Sequence, residues 1–136
     1  MNCVHFPYLR FVKIVETATY WLKFMSFRRV MNFVGLVLSY YTSRIIKKSI
    51  PLGLPFHVSM EPTTACNLGC PECPSGLKKF TRPTGKMELV RHEKWLKELS
   101  KTVFYVTYYF QGEPFLNPRF LEMIKAAKRY RLFTAT

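Results

Sequence analysis

Three cysteines, Cys66, Cys70 and Cys73, fall within one short segment and have the spacing C-x3-C-x2-C. Thiolates are soft ligands, and they select zinc, copper or iron–sulfur clusters over hard cations. Three thiolates in one loop can wrap a single metal centre, and Gly69 lets the backbone turn between them. The spacing therefore predicts that this loop binds a metal.

The segment supplies three ligands, whereas a structural zinc or an electron-transfer 4Fe–4S cluster usually takes four. An incomplete ligand set leaves one metal position open, so we predict a 4Fe–4S cluster with one open iron. Three alternatives stay open: a zinc site completed by His57 or His92, a Cys70–Cys73 redox dithiol, and an electron carrier. Neither histidine has a ligand-like spacing, the dithiol leaves Cys66 unexplained, and the carrier needs cysteines that the sequence lacks.

The pattern after residue 54 predicts alternating strands and helices. The predicted elements are a strand at 56–60, the cysteine-containing loop to about residue 86, a helix at 88–101, a strand at 103–110, a helix at 119–131 and a β run from 132. The side chains expected to face the core are Trp95, Leu96 and Leu99 on the first helix and Phe120, Met123, Ile124 and Ala127 on the second. This order is a βα repeat, which implies parallel strands with right-handed crossovers. Two to three βα units cannot close a barrel, and we expect the chain to be the front part of a longer protein.

Residues 1–54 have a different pattern and are predicted to form a basic, helical extension with a linker. A helix is predicted over 11–50, ending before Pro51, Gly53 and Pro55. One of its faces is apolar and carries Phe24, Phe27, Met31, Val34, Leu38, Tyr41 and Ile45. The favoured interpretation is that the helical extension packs on the domain formed by 55–136. The alternative is that residues 24–48 lie on a membrane surface.

The net charge of +13 is compatible with a nucleic acid, an anionic membrane or an acidic substrate, and it does not choose among them. No motif points to nucleic acid, and none is expected as a partner.

Three of the four cysteines are clustered, and Cys3 is interpreted as a remote, incidental thiol. This clustering indicates a reducing compartment. We find no secretory signal, and the longest uncharged run, 30–43, is shorter than the about 20 residues of a membrane span. A cytoplasmic protein, peripheral to a membrane at most, is therefore expected.

The cysteine loop resembles that of the radical S-adenosylmethionine (radical SAM) enzymes, whose C-x3-C-x2-C motif follows the first barrel strand. A second segment, Gly112-Glu113-Pro114, is similar to the Gly-Gly-Glu-Pro motif of that family and also follows a predicted strand. The resemblance covers roughly residues 55–136. It implies an α/β fold, the first two to three βα units of a partial (β/α)6 barrel.

The resemblance also implies an activity. Cys66, Cys70 and Cys73 would hold a 4Fe–4S cluster whose open iron binds SAM, with Gly112-Glu113-Pro114 at the SAM amino group. One electron, from a donor such as flavodoxin or ferredoxin, would cleave SAM to methionine and a 5′-deoxyadenosyl radical. The radical would abstract hydrogen from a substrate that the sequence does not identify.

The sequence departs from the family pattern at two of these positions. Glu72 stands where the family often has an aromatic residue, and Gln111 replaces the first glycine of the second motif. The segment 73–76, with the basic residues after it, is similar to members with a C-terminal extension that holds auxiliary clusters, many of which modify peptides. Those basic residues form either a solvated face or a substrate clamp. The rival function is a non-catalytic metal-binding module with a membrane- or partner-binding basic helix.

Overall fold

A computed structural model describes residues 21–136 and consists of helices and a small parallel sheet. The elements are α1 (Phe27–Ile46), β1 (His57–Ser59), α2 (Leu89–Leu99), β2 (Tyr105–Thr107), a 3-10 helix (Pro114–Leu116), α3 (Phe120–Arg129) and β3 (Phe133–Ala135). The predicted helix over 11–50 is wrong as one continuous element, because Ser26 begins a new helix as its N-cap. Its first part, 11–20, lies outside the described residues.

The three strands form one sheet in the order β1-β2-β3, and both pairs are parallel. His57 is opposite Tyr105, and Tyr105 is opposite Phe133, so the strands start level with one another. This confirms the predicted α/β class and parallel pairing. Within residues 21–136, β1 and β3 are the two edges of the sheet, and all three C-terminal strand ends lie on the same side of it.

The core lies between the sheet and the helices α2 and α3. Its fully buried residues include Leu96, Val103, Val106, Tyr108, Phe120, Met123, Ala127 and Leu132. The predicted inward face of α3 is confirmed. The prediction that Trp95 faces the core is wrong: its side chain is 40% exposed, because His92 and Leu96, four residues apart, occupy the inner face of α2.

Arg29 fixes α1 to the end of the sheet at which the strands begin. Its guanidinium is buried and donates to the carbonyls of Ser100 (2.8 Å), Tyr130 (3.0 Å), Arg131 (2.6 Å) and Phe24. The carbonyls of Ser100, Tyr130 and Arg131 lie at the C-terminal ends of α2 and α3, where they carry partial negative charge and lack helical partners, and that of Phe24 precedes α1. Burial, and then the nearby Arg131 charge, lower the pKa of Arg29. The guanidinium still stays charged at any ordinary pH.

The polar side of α1 faces the segment 50–54, which runs back along the helix. Asn32 exchanges two hydrogen bonds with the backbone of Leu54, at 2.7 and 2.8 Å, and Ser43 accepts one from Ile50 N at 3.0 Å. A Cβ on Gly35 would lie 2.6 Å from the carbonyl oxygen of Leu52, so the two segments touch at backbone distance.

The opposite, apolar side of α1 is exposed. We call Phe27, Met31, Val34, Leu38, Tyr41 and Ile45 the outer stripe; all six side chains are exposed, up to 81% for Ile45. The extension contacts the domain through Arg29 and through the ring pairs Phe24–Phe133 and Phe33–Phe56. The outer stripe takes no part in this contact, because the hydrogen bonds of the polar side place that side inward. Within residues 21–136, no helix has both the length and the hydropathy needed to cross a membrane.

A buried histidine makes folding stability depend on pH. His92 Nε2 lies 2.7 Å from the Tyr108 hydroxyl, and burial lowers the pKa of His92 to about 4 from its usual 6.5. The unfolded chain therefore binds this proton first as pH falls. The contribution of neutral His92 to the free energy of unfolding should be fully present above pH 6.5 and should be lost progressively as the pH falls to 4. The total loss should be on the order of 3 kcal/mol.

Urea unfolding at several pH values measures this slope. The double variant His92→Phe/Tyr108→Phe removes both polar groups and should remove the slope between pH 6.5 and 4 that belongs to His92. An equal slope in the wild type and the double variant would show that His92 does not set it.

Candidate functional site

The cysteine loop leaves the C-terminal end of β1 and is closed at its base. Met87 N donates to Pro62 O at 2.9 Å, and Thr63 pairs with Lys86 in an antiparallel bridge. Thr64 N then donates to Gly85 O at 3.0 Å. This short ladder brings the two ends of the loop together, so the cysteines lie in a closed loop above the strand end.

The buried side chain of Asn117 holds both ends of that loop. Its amide nitrogen donates to Pro62 O at 2.7 Å and to Met87 O at 3.0 Å. Its oxygen accepts from Arg119 N at 2.9 Å, just before α3 begins. In the sequence, Asn117-Pro118 predicts only a helix start. The structure shows that the same side chain also closes the cysteine loop.

Gly112 and Glu113 pack directly on the cysteine loop. Glu113 N donates to Ala65 O at 2.8 Å, and Gly112 N donates to Ser75 Oγ at 3.3 Å. Gly112 has a φ of +78°, and a Cβ there would lie 2.1 Å from Thr63 O. Glycine is therefore required both by the backbone conformation and by the close approach. The two sequence motifs therefore contact each other at the C-terminal ends of β1 and β2.

The three cysteines occupy one turn-rich segment of the loop. Cys70 is exposed, whereas Cys66 and Cys73 are half-buried, and none is in a disulfide. Cys73 N donates to Cys70 O at 3.3 Å. A Cβ on Gly76 would lie 2.6 Å from backbone atoms of Cys70, so the chain folds tightly back on itself here.

The surroundings of Cys73 favour its thiolate. Hydrogen bonds from the backbone N–H of Gly76, then from that of Ser75, lower the pKa of Cys73; the Ser75 hydroxyl adds to this, and partial burial opposes it. The thiolate is the form that ligates metals. The thiol chemistry of the loop therefore suits a soft metal centre. Ser75 supports both Cys73 and Gly112, and its sequence position alone gives no sign of this role.

The three thiols are not gathered into a ligand set. Within residues 21–136, no three His, Cys, Asp or Glu side chains are close enough together to hold a metal ion. His57 Nε2 lies 3.1 Å from Thr107 Oγ1, and His92 contacts Tyr108 in the core. Both histidines are thus engaged with the sheet. Cys3 lies outside the described residues.

A cleft of about 340 Å³ opens beside Cys66. Its walls are formed by Thr64, Ala65, Cys66, Ser75, Lys78, Phe80, Arg82 and Thr84. Arg82 donates to Glu61 Oε1 and to Gln111 Oε1, both at 2.9 Å, and its guanidinium lies 4.8 Å from the Phe80 ring centre. Gln111, the departure from the glycine pattern, therefore holds Arg82 at the rim of this cleft.

Glu113 and Pro114 form the start of the 3-10 helix. Glu113 Oε1 accepts a hydrogen bond from Phe115 N at 3.3 Å, which caps that helix, and Pro114 is buried as its first residue. Glu113 as a residue is half-buried, its hydrogen bond with Phe115 N is exposed, and it lies at the same strand end as the cysteine loop. Glu72, at the position next to Cys73, is exposed.

No protein-family model and no curated protein matches the chain.

The site geometry predicts that Gly112 tolerates no side chain. Gly112→Ala must displace Thr63 O and strain a positive φ, which should lower the free energy of unfolding by at least about 2 kcal/mol. Gly69→Ala is the matched control, because no atom lies within 4 Å of a Cβ there and its backbone is unstrained. Urea unfolding of both variants checks this. Equal stabilities would contradict the close approach.

Asn117→Asp should weaken the closure of the cysteine loop. The aspartate keeps the oxygen that accepts from Arg119 N, but it replaces the donating amide nitrogen with a second oxygen, which faces the carbonyls of Pro62 and Met87. The free energy of unfolding should therefore fall by about 2 kcal/mol or more. Asn67→Asp introduces the same charge on the exposed part of the loop. Limited proteolysis and urea unfolding should distinguish the two variants; similar behaviour would argue against the clamp.

Proposed function

We propose that the chain belongs to an iron–sulfur enzyme of the radical SAM type, in which β1–β3 are strands of a partial (β/α)6 barrel. The observation that carries this proposal is the contact between the two motifs: Glu113 N donates to Ala65 O, directly before Cys66. Parallel α/β folds bind ligands at the C-terminal ends of their strands, which is where this contact lies.

Cys66, Cys70 and Cys73 would hold the cluster. Their thiols have the required softness, and the hydrogen bonds around Cys73 favour a ligating thiolate. When bound, a 4Fe–4S cluster with an open iron supplies one electron that cleaves the sulfonium C–S bond of SAM, giving methionine and a 5′-deoxyadenosyl radical. That electron would come from flavodoxin, ferredoxin or a similar donor.

The segment 112–114 would position SAM beside the cysteines. Glu113 is a half-buried residue, and its Oε1 accepts an exposed hydrogen bond of 3.3 Å from Phe115 N. A carboxylate in this state can accept a strong, charge-assisted hydrogen bond from an ammonium group. The cleft beside Cys66 is large enough for part of a small ligand.

The hydrogen-donating substrate is proposed only as a class. The basic residues Lys78, Lys79, Arg82 and Lys86 follow the cysteines, and Lys78 and Arg82 line the cleft. The similarity to peptide-modifying members makes a peptide the first substrate to test. A cytoplasmic location fits three clustered, reduced thiols.

A second candidate is a non-catalytic metal-binding module. The observation that favours it is the Glu113 carboxylate, whose contact with Phe115 N is a structural cap that needs no ligand. In this case the loop would bind zinc or an iron–sulfur cluster, and the basic helix α1 would be the working surface.

Anaerobic reconstitution with iron and sulfide separates the two candidates. The wild type should bind about four irons per chain and give a reduced EPR signal that changes on addition of SAM. Cys70→Ser should lose the iron, whereas Cys3→Ser, which removes the remote thiol, should retain it. Glu113→Gln should retain the iron, but the SAM concentration needed to change the EPR signal should rise at least about tenfold.

Product analysis completes the test. With a chemical reductant, the reconstituted wild type should release 5′-deoxyadenosine and methionine in equal amounts. Zinc in place of iron, or a cluster whose signal ignores SAM, would establish the metal-binding module and remove the catalytic proposal.

A further inference from the structure

The two sides of α1 differ in what they contact. The inner side is satisfied by hydrogen bonds: Asn32 and Ser43 bond to the backbone of 50–54, and the Arg29 guanidinium bonds to the ends of α2 and α3. The outer stripe is an exposed row of apolar and aromatic side chains along the whole helix. Such a row on a protein surface marks an interaction site.

The charged residues of α1 and of its neighbours along the chain in 21–60 are all basic. Residues 21–60 contain no acidic residue, and their basic residues are Lys23, Arg28, Arg29, Arg44, Lys47 and Lys48. At about 100° per residue, Arg28 and Arg44 lie on opposite flanks of the stripe. Lys47 ends the helix in a left-handed conformation, and both it and Lys48 are exposed.

We propose that α1 lies in the plane of an anionic lipid membrane, with the outer stripe in the acyl region and the flanking basic residues at the headgroups. An amphipathic helix that exposes its apolar face between cations has the features of an interfacial helix. Anionic lipid also complements the local charge, since each Lys or Arg near such a surface is attracted to it.

A second copy of the chain fits this surface less well than lipid does. A symmetric pair of α1 helices would bring the same cations together, on chains that each carry a net charge of +13. Like charges placed opposite one another disfavour association. Nucleic acid would match the charge and leave the apolar row unsatisfied.

Membrane contact through α1 would leave the cysteine loop accessible. Arg29 and Phe33 join α1 to the residues that precede the strands, Ser100 before β2 and Phe56 before β1. The cysteine loop follows the opposite, C-terminal end of β1. The proposal is independent of the proposed function, because it concerns the other end of the sheet and requires no cluster.

Vesicle flotation of the full 136-residue chain tests the proposal. Binding to vesicles of phosphatidylcholine with phosphatidylglycerol should exceed binding to phosphatidylcholine alone by about tenfold, and 1 M salt should reduce it. Val34→Glu/Leu38→Glu places two acids in the outer stripe and should lower binding at least about tenfold. The matched control Val90→Glu/Leu121→Glu makes the same charge change at exposed positions of α2 and α3, and should bind much more strongly than the stripe variant.

Lys47→Glu/Lys48→Glu leaves the stripe intact and should also lower binding about tenfold or more, which keeps the test valid if the stripe variant fails to fold. Circular dichroism establishes folding of each variant. Failure of the wild type to bind anionic vesicles, or equal loss in the stripe variant and its control, would overturn the proposal. One further result would overturn it. The wild type would form an oligomer in ultracentrifugation and bind no vesicles, and the stripe variant would be a monomer.

Discussion

Closure of the cysteine loop by Asn117 is the constraint on which the candidate site depends. A loop this long must have donors for the buried carbonyls where it leaves and re-enters the fold, and Asn117 supplies one to each, at Pro62 and Met87. Since its oxygen also accepts from Arg119 N, one side chain joins the loop ends to the start of α3. The segment 112–114 lies between these points and is thereby held against the cysteines.

At the opposite end of the sheet, where the strands begin, the unpaired carbonyls are bound by a cation, Arg29, instead of by an amide. The carbonyls at the ends of α2 and α3 lack helical partners, and the buried Arg29 guanidinium provides several donors to them at once. No carboxylate balances this charge in residues 21–60, so helix-end carbonyls stabilise it. Arg29 thereby fixes the rotation of α1 and decides which side of that helix faces outward.

The sheet therefore separates two kinds of surface. The end of the sheet where the strands finish carries thiols, the Glu113 carboxylate and a cleft with Lys78 and Arg82. At the end where the strands begin, aromatic side chains pack together, and beyond them lies the exposed apolar face of α1. Such a division would allow one end to bind a surface while the other exchanges small molecules with water.

The sequence by itself determined what depends on neighbours along the chain. The periodicity of residues 55–136 predicted the three strands, the helices α2 and α3 and the inward side of α3, and the cysteine spacing predicted a loop of soft ligands. Tertiary structure alone decided the partners of Asn117 and Gln111, because these contacts join residues 29 to 55 positions apart. It also decided the orientation of α1: periodicity shows that a helix has two faces, but the hydrogen bonds of Arg29, Asn32 and Ser43 determine which face is inside.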